Sequence, residues 1–261
     1  MFIFLPPSEG KTEPRDPQAP AVDFEGLVLP EISPARQTVA AALEQVSAHE
    51  QAQTILKVGD SVMEHVRANA TLREKATAPA HEVYSGVLYD ALDAAQLDAQ
   101  ARHTAEREML IFSGLFGVAG FSDRIPAYRL AMGIDLKVPH SEHGPGKLGR
   151  YWRDILSAPL GERTDGHLVV DCRSSAYAQA YRPPAQQTLA VNNFRMVRGK
   201  RAVVTHFAKR ARGELAGLLA RRTGEAETVD EVAHIASSRW RVEVRPATAR
   251  TAHQLDLIDH S

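Results

Sequence analysis

One stretch constrains this chain more than any other. From Met109 to Gly133 it reads MLIFSGLFGVAGFSDRIPAYRLAMG. Four apolar residues, Met109 to Phe112, stop at Ser113-Gly114. Leu115-Phe116 is closed by Gly117, and Gly120 follows. Pro126 opens a second apolar piece that holds Tyr128, Arg129 and Met132 and ends at Gly133. This pattern predicts a buried strand, a glycine turn and a second strand. Gly114 and Gly117 permit positive φ and let backbone N–H groups approach a partner closely. Arg129 is the odd member, because a charge in an apolar strand is rarely buried without a partner. Two readings stay open: an arginine that snorkels to water beside a tight turn, or one wall of an anion-binding cleft. Neither names a reaction.

At 261 residues the chain makes one large domain or two small ones, with room for a sizeable core. Its net charge of −1 hides an asymmetry. From Glu13 to Glu50, seven acids stand against Arg15 and Arg36. From Arg195 to Arg222 the balance reverses, with Lys209, Arg210 and Arg212 among the bases and Glu214 the one acid. A basic stretch on a neutral chain implies one localised anionic partner. Cys172 is the single cysteine, so no intramolecular disulfide forms, which suits a reducing cytosol. The start, MFIFLPP, lacks a basic flank and is cut by Pro6-Pro7, so it does not read as a signal peptide. No apolar run approaches the ~20 residues of a membrane span. The expectation is a cytoplasmic, soluble protein without a membrane partner, a monomer rather than an oligomer.

Along the chain, Phe2 to Leu5 reads as a buried strand ended by Pro6-Pro7. In Ser8-Glu9-Gly10-Lys11-Thr12 the Gly-Lys-Thr resembles the end of a P-loop, yet Leu5 stands where its first glycine belongs. Ser8 and Lys11 also have Ser-x-x-Lys spacing, without a supporting motif. Lys11 stays a candidate because it follows a strand, where α/β sheets place ligands; the plain alternative is a solvated loop lysine. Thr12 to Val22 is a proline-rich loop. Ser33-Pro34 predicts a capped helix with Val39, Leu43 and Val46 on one face. Val58, Val62 and Val66 mark a second helix. Tyr84 precedes a Ser85-Gly86 break, and Leu92 to Arg107 reads as helix.

His140, Glu142 and His143 lie in a glycine-rich loop whose spacing matches no strong metal motif, so no metal is expected. Helix follows through Trp152, an expected core anchor. Leu168 to Cys172 predicts a strand, and Ser174 a cap on a helix running through Tyr177, whose free N–H groups would suit an anion. Cys172 reads as a buried strand thiol, with a low-pKa thiol beside Arg173 as the alternative. Thr188 to Val197 and Ala202 to His206 predict a hairpin across Arg198-Gly199-Lys200. Thr205 would cap the next helix, with Phe207, Ala211, Leu215 and Leu218 buried and Lys209 and Arg212 together on the other side. Bases near a helix start oppose its dipole, which an anion there would relieve; a merely solvated face is the alternative. A helix near Val229 to Ala236, a strand near Trp240 to Val244 and a short final segment complete the chain.

FIFLPPSEGKT, VYSGVLYDAL, FSGLFGVAGFSDRIPAYRLAMG, LGRYWRDIL, VVDCRSSAYAQAY and THFAKRARGELAGLLA together resemble, in order, the YaaA family of peroxide-stress proteins. The resemblance implies a single α/β domain of mixed α+β character, with a central mixed sheet, flanking helices and a positively charged cleft. It also implies survival of hydrogen peroxide, low free iron, and DNA binding through a helix-hairpin-helix-like element. That element matches Gly114 to Gly117 with its flanks. The cleft matches Lys11, Tyr84, Ser113, Arg129, Ser174, Tyr177, Lys209 and Arg212. The chain departs from the family pattern at Gly120-Phe121-Ser122-Asp123, at Ser174-Ser175-Ala176-Tyr177, which lacks the usual acid, and at His206.

Two functions compete. In the first, glycine-loop amides and a basic helix hold DNA or another phosphate-bearing ligand without reading bases. In the second, the same cleft is the active site of an enzyme for a small phosphorylated or carboxylated substrate, with Lys11, Ser113, Arg129, Tyr177 and Lys209 supplying charge and proton transfer. One cysteine leaves no resolving thiol for a peroxidase, and no haem, manganese or di-iron signature is present, so no cofactor is expected.

Overall fold

A computed structural model of the chain describes residues 1–139, 144–197, 200–202, 205–222, 224 and 226–259. The main sheet is built from β1 (Phe2–Leu5), β2 (Met109–Ser113), β3 (Gly117–Gly120), β4 (Val169–Asp171), β5 (Thr188–Val197), β6 (Lys200–Ala202), β7 (Arg241–Arg245) and β8 (His253–Asp259). Its order is β7-β8-β5-β4-β1-β2-β3, with β6 paired to β5. β1 lies parallel between β2 and β4, in register Ile3↔Met109 and Ile3↔Val170. β4 to β5 and β5 to β8 are also parallel, whereas β3, β6 and β7 are antiparallel additions. The expected mixed sheet in a single mixed α/β domain is therefore present. Ile3, Phe4 and Leu5 are fully buried, as a central strand covered on both faces requires. Because β1, β2 and β4 run the same way, their carboxyl ends share one sheet edge, where such sheets open crevices.

The helices are α1 (Ser33–Ala48), α2 (Val87–Leu92), α3 (Ala99–Glu108), α4 (Leu148–Thr164), α5 (Thr205–Arg221) and α6 (Val229–Ser237), with shorter turns between them. Val39, Leu43 and Val46 form the buried face of α1, as their spacing predicts. Ser33 does not cap it; its hydroxyl donates to the Phe24 carbonyl at 2.7 Å. The Val58–Val66 pattern is helical from Asp60, a 3-10 turn, Asp60–Val62, running straight into the short α-helix Met63–Arg67 with Val66 buried. The helix expected from Leu92 starts at Ala99, capped by Asp98, which accepts from the Ala101 N–H at 2.8 Å. α5 packs lengthwise on α2, because glycines remove the side chains between them. A Cβ on Gly213 would meet the Leu88 carbonyl oxygen at 2.0 Å, and one on Gly217 the Leu92 oxygen at 2.8 Å.

Arg36 is wholly buried, and satisfies its guanidinium with backbone carbonyls, among them Phe116 at 3.2 Å, Leu29 at 3.2 Å and Val118 at 2.9 Å. Such a group ties the 24–29 loop to β3 and tolerates burial because its donors are used.

The opening stretch is corrected in one respect. The second strand is Gly117–Gly120, not the Pro126–Gly133 piece, which is irregular from residue 126 to 131. The turn is tight because Gly117 takes φ +69° and Trp152 fills the space a Cβ would need, its nearest ring atom 2.5 Å away. The Trp152 indole N–H donates to the Gly114 carbonyl at 2.9 Å, the anchoring role its size suggests. The final segment, expected to be minor, is the seven-residue strand β8, inserted between β5 and β7.

Candidate functional site

Pro6-Pro7 ends β1 and turns the chain across the carboxyl edge of the sheet. The Ser8 hydroxyl donates to the Gly10 carbonyl and accepts the Ser85 N–H at 3.0 Å. Lys11 then bridges Tyr84 as an isolated antiparallel pair, and the Thr12 N–H donates to the Val83 carbonyl at 2.8 Å. The Lys11 Nζ donates to the Ser8 carbonyl at 2.8 Å and lies 4.2 Å from the Tyr128 ring centroid and 5.4 Å from that of Tyr84. This is a cation over two aromatic faces. Burial lowers its pKa to about 7, the Glu9 carboxylate opposes that shift, and the Arg129 charge adds to it. No Ser-Lys nucleophile pair forms, since the lysine meets the serine's carbonyl and not its hydroxyl.

Behind Lys11 runs a chain of hydroxyls. Ser113 Oγ accepts the N–H groups of Leu115 at 3.1 Å and Phe116 at 3.0 Å, and lies 2.7 Å from Tyr128 Oη. With its acceptor sites taken, Ser113 donates to Tyr128, and Tyr128 donates onward to Tyr84 Oη at 2.9 Å. Burial pushes the Tyr84 phenol up to about 12 and that of Tyr128 well above its ordinary value. Tyr177 is raised by burial, then by Glu9 and Tyr84. All three phenols stay neutral near pH 7.

Arg129 is positioned through its backbone. The Asn69 side chain, itself fully buried, accepts from the Arg129 N–H at 2.9 Å and donates to its carbonyl at 3.0 Å. The guanidinium is thereby carried to the β1 loop, where it donates to the Glu9 carbonyl at 2.9 Å and pairs with the Glu9 carboxylate at 3.0 Å. Glu9, Lys11, Glu13, His65, Lys75 and Arg129 all border one cavity of about 190 Å³. Lys75 is spent on Glu13 at 3.0 Å and on the Ala127 carbonyl at 2.9 Å. Arg129 is held by Glu9, whose side chain is 60% exposed. Lys11 makes no ion pair among the described residues.

The candidates thus divide. Lys11, Tyr84, Ser113 and Arg129 converge, and Tyr177 senses Glu9, Tyr84 and Arg129. Ser174 does not cap a helix: only a short turn, Tyr177–Gln179, follows, and the Ser174 carbonyl accepts from the Tyr177 N–H at 3.0 Å. The helix-dipole site expected there is absent. Lys209 and Arg212 do not share a solvated face. Lys209 is exposed, while Arg212 turns to the sheet and donates to the Val191 carbonyl at 3.1 Å. Gly213 meets Leu88 and Gly217 meets Leu92, so α5 and α2 run side by side in the same direction, and Lys209, one turn before Gly213, lies toward the Tyr84–Ser85 end of α2. Gly114 to Gly117 is flanked by strands, not helices, and is buried. The amides of Leu115 and Phe116 are already used by Ser113, so the expected helix-hairpin-helix is corrected to a closed β-turn. Cys172 is fully buried with its pKa pushed up to about 12, which bears out the buried thiol, although β4 ends one residue earlier at Asp171. His140, Glu142 and His143 lie outside the described residues. Among the described residues, no group of three or more His, Cys, Asp or Glu side chains is placed to hold a metal.

Sequence reasoning missed Glu9, Asn69 and the central part of Tyr128. Tyr128 was legible beside Arg129 in the same piece. Glu9 and Asn69 had no signal, because their partners lie 120 and 60 residues away.

The family model for peroxide stress protein YaaA matches residues 1–245. The chain belongs to the YaaA family. It is similar to a UPF0246 protein of Streptomyces coelicolor, 36% identical over 100% of this chain and 99% of the relative. It is also similar to a UPF0246 protein of Corynebacterium glutamicum, 38% identical over 91% of this chain and 92% of the relative. Another, from Corynebacterium efficiens, is 37% identical over 90% and 91%. Within this family, the Lys11–Arg129 arrangement is what gives the chain a candidate site. No helix among the described residues is long and apolar enough to cross a membrane.

Proposed function

We propose that this family member serves peroxide defence in the cytoplasm by binding a phosphate-bearing anion, a DNA backbone phosphate or a smaller ligand, between Lys11 and Arg129. The observation that carries the reading is the pairing at the cavity. Arg129 is fixed by Asn69, but its partner Glu9 sits on an exposed side chain. An incoming anion that displaces Glu9 meets two cations, one of them without a carboxylate of its own. Iron and peroxide together make radicals that attack DNA, so covering DNA or lowering free iron would each protect it.

The test is salt-dependent binding of duplex DNA and of inorganic phosphate. Phosphate contacts make affinity fall steeply with salt. Arg129→Ala should abolish the phosphate response. A flat salt dependence, or unchanged binding in Arg129→Ala, removes this reading. The second reading, an enzyme for a small phosphorylated or carboxylated substrate, is favoured by the cavity's size. About 190 Å³ is below the ~300–1,000 Å³ of drug-sized sites, so only a small anion or a single phosphate group enters.

A further inference from the structure

We propose that Lys11 is a covalent anchoring amine, and that the cavity takes a small carbonyl-bearing anion, an aldehyde acid or 2-oxo acid, as an imine on Nζ. This rests on the anion reading of the same cavity and deepens it by naming the ligand class. Three features of the site, independent of one another, point this way.

The first is the difference between the two lysines of the cavity. Lys75 is locked by Glu13 at 3.0 Å. Lys11 has only the Ser8 carbonyl and the faces of Tyr128 and Tyr84 around its nitrogen. Burial without a carboxylate on the nitrogen makes Lys11 the lysine that gives up its proton more readily, with a pKa lowered to about 7. The charged and titratable groups that face it are Glu9 and Arg129 from the neighbouring segments, His65, Glu13 and Lys75 across the cavity, and the neutral phenols Tyr84, Tyr128 and Tyr177. The second is Arg129, whose backbone is clamped on both sides by Asn69 and whose fork suits a carboxylate. The third is size, because the cavity of about 190 Å³ admits a compact acid and excludes a large one.

The step balances without an oxidant or a further reactant. The Nζ lone pair of neutral Lys11 attacks the carbonyl carbon. The C=O π pair moves to oxygen, which takes up a proton as nitrogen loses one. The carbinolamine then expels its oxygen as water, leaving a C=N bond. Amine plus carbonyl gives imine plus water. The ligand's carboxylate replaces that of Glu9 on Arg129. The released Glu9 carboxylate, close enough to act on the Lys11 charge, is a base for the proton that nitrogen sheds.

The experiment uses the full chain with glyoxylate as the charged probe and acetaldehyde as the neutral one. Sodium cyanoborohydride traps any imine as a secondary amine, located by peptide mass spectrometry. Exposed Lys57 is the internal reference. The expected result is that Lys11 is trapped with glyoxylate at least about tenfold faster than Lys57, as a lowered pKa and a held carboxylate imply. Inorganic phosphate should slow that labelling, and Arg129→Gln should erase the preference for glyoxylate over acetaldehyde. Labelling of Lys11 no faster than Lys57, while phosphate still raises the melting temperature, overturns the imine and leaves the anion site standing. Rapid trapping by acetaldehyde with no preference for glyoxylate and no phosphate response overturns both. The phosphate competition is read in the unaltered protein, so the outcome does not depend on any variant folding.

Discussion

Two basic regions of this protein meet opposite fates. The first is sparse in sequence: Lys11 and Arg129 lie 118 positions apart, each among apolar or acidic neighbours. The second, Arg195 to Arg222, is dense in arginine and lysine and reads at once as an anion surface. The fold gathers the sparse pair on one cavity. Among the described residues of the dense one, Lys209 stays exposed, Arg210 pairs with Glu214 at 2.7 Å, and Arg212 is spent on the Val191 carbonyl. Charge density along a chain is therefore a poor guide to charge density in space. What marks the first region is a lysine without an ion pair among the described residues, beside an arginine whose backbone is fixed by Asn69.

The comparison breaks most visibly at a glycine. Gly213→Val in α5 places carbons where the Leu88 oxygen lies 2.0 Å from an ideal Cβ, so the helix must leave α2. Overpacking of this kind costs roughly 1–3 kcal/mol or more. A thermal melt should fall by several degrees, since ~1 kcal/mol moves a chain of this size by ~2–4 °C. Gly10→Ala, at the cavity, meets only the Ser85 hydroxyl at 3.4 Å and should melt close to the parent protein. Equal losses in both variants would erase the claimed difference between a packed region and an open one.

A sharper test is the phosphate-dependent rise in melting temperature. Arg129→Ala should lose it. Lys209→Ala should keep most of it and reduce the DNA salt slope by no more than about one unit. A larger loss from Lys209→Ala than from Arg129→Ala would reverse the ranking of the two regions.

Titration separates them as well. Lys11 carries a pKa near 7 when folded against 10.5 for an ordinary lysine, so between these limits the unfolded chain holds a proton that the folded chain lacks. Stability from this group therefore rises with pH across that window and is lowest below it, where burying the ammonium is costly. Lys11→Met should flatten that rise in denaturant melts compared at pH 7 and pH 9. An unchanged slope would mean that the lysine is not desolvated. Anion binding runs the other way and should weaken as Lys11 loses its charge above pH 7.

The smallest effect is expected at Cys172. Its thiol is fully buried and its pKa lies near 12, so a thiol reagent should label it only as fast as the protein opens. Rapid labelling at neutral pH would place a second reactive centre on the same sheet edge.

Several features are properties of the sequence alone. Phe2–Leu5 and Met109–Ser113 are strands because uninterrupted apolar runs bounded by proline or glycine have nowhere else to go than the middle of a sheet. The buried face of α1 and the anchoring of Trp152 follow from periodicity and size. The family itself is legible in the order of the motifs. Tertiary structure decided the rest. The Arg129 segment reads as a strand but stays irregular, because Asn69, 60 residues earlier, supplies the hydrogen bonds a neighbouring strand would have given. The last segment becomes a sheet strand because β5 offers it an open parallel edge. The Ser174 helix does not form beyond a short turn. Lys11 is an ordinary loop lysine on paper and acquires its depressed pKa only when Tyr84 and Tyr128 close around it. Local pattern sets which residues are buried, while partners brought from far along the chain set what a buried charge can do.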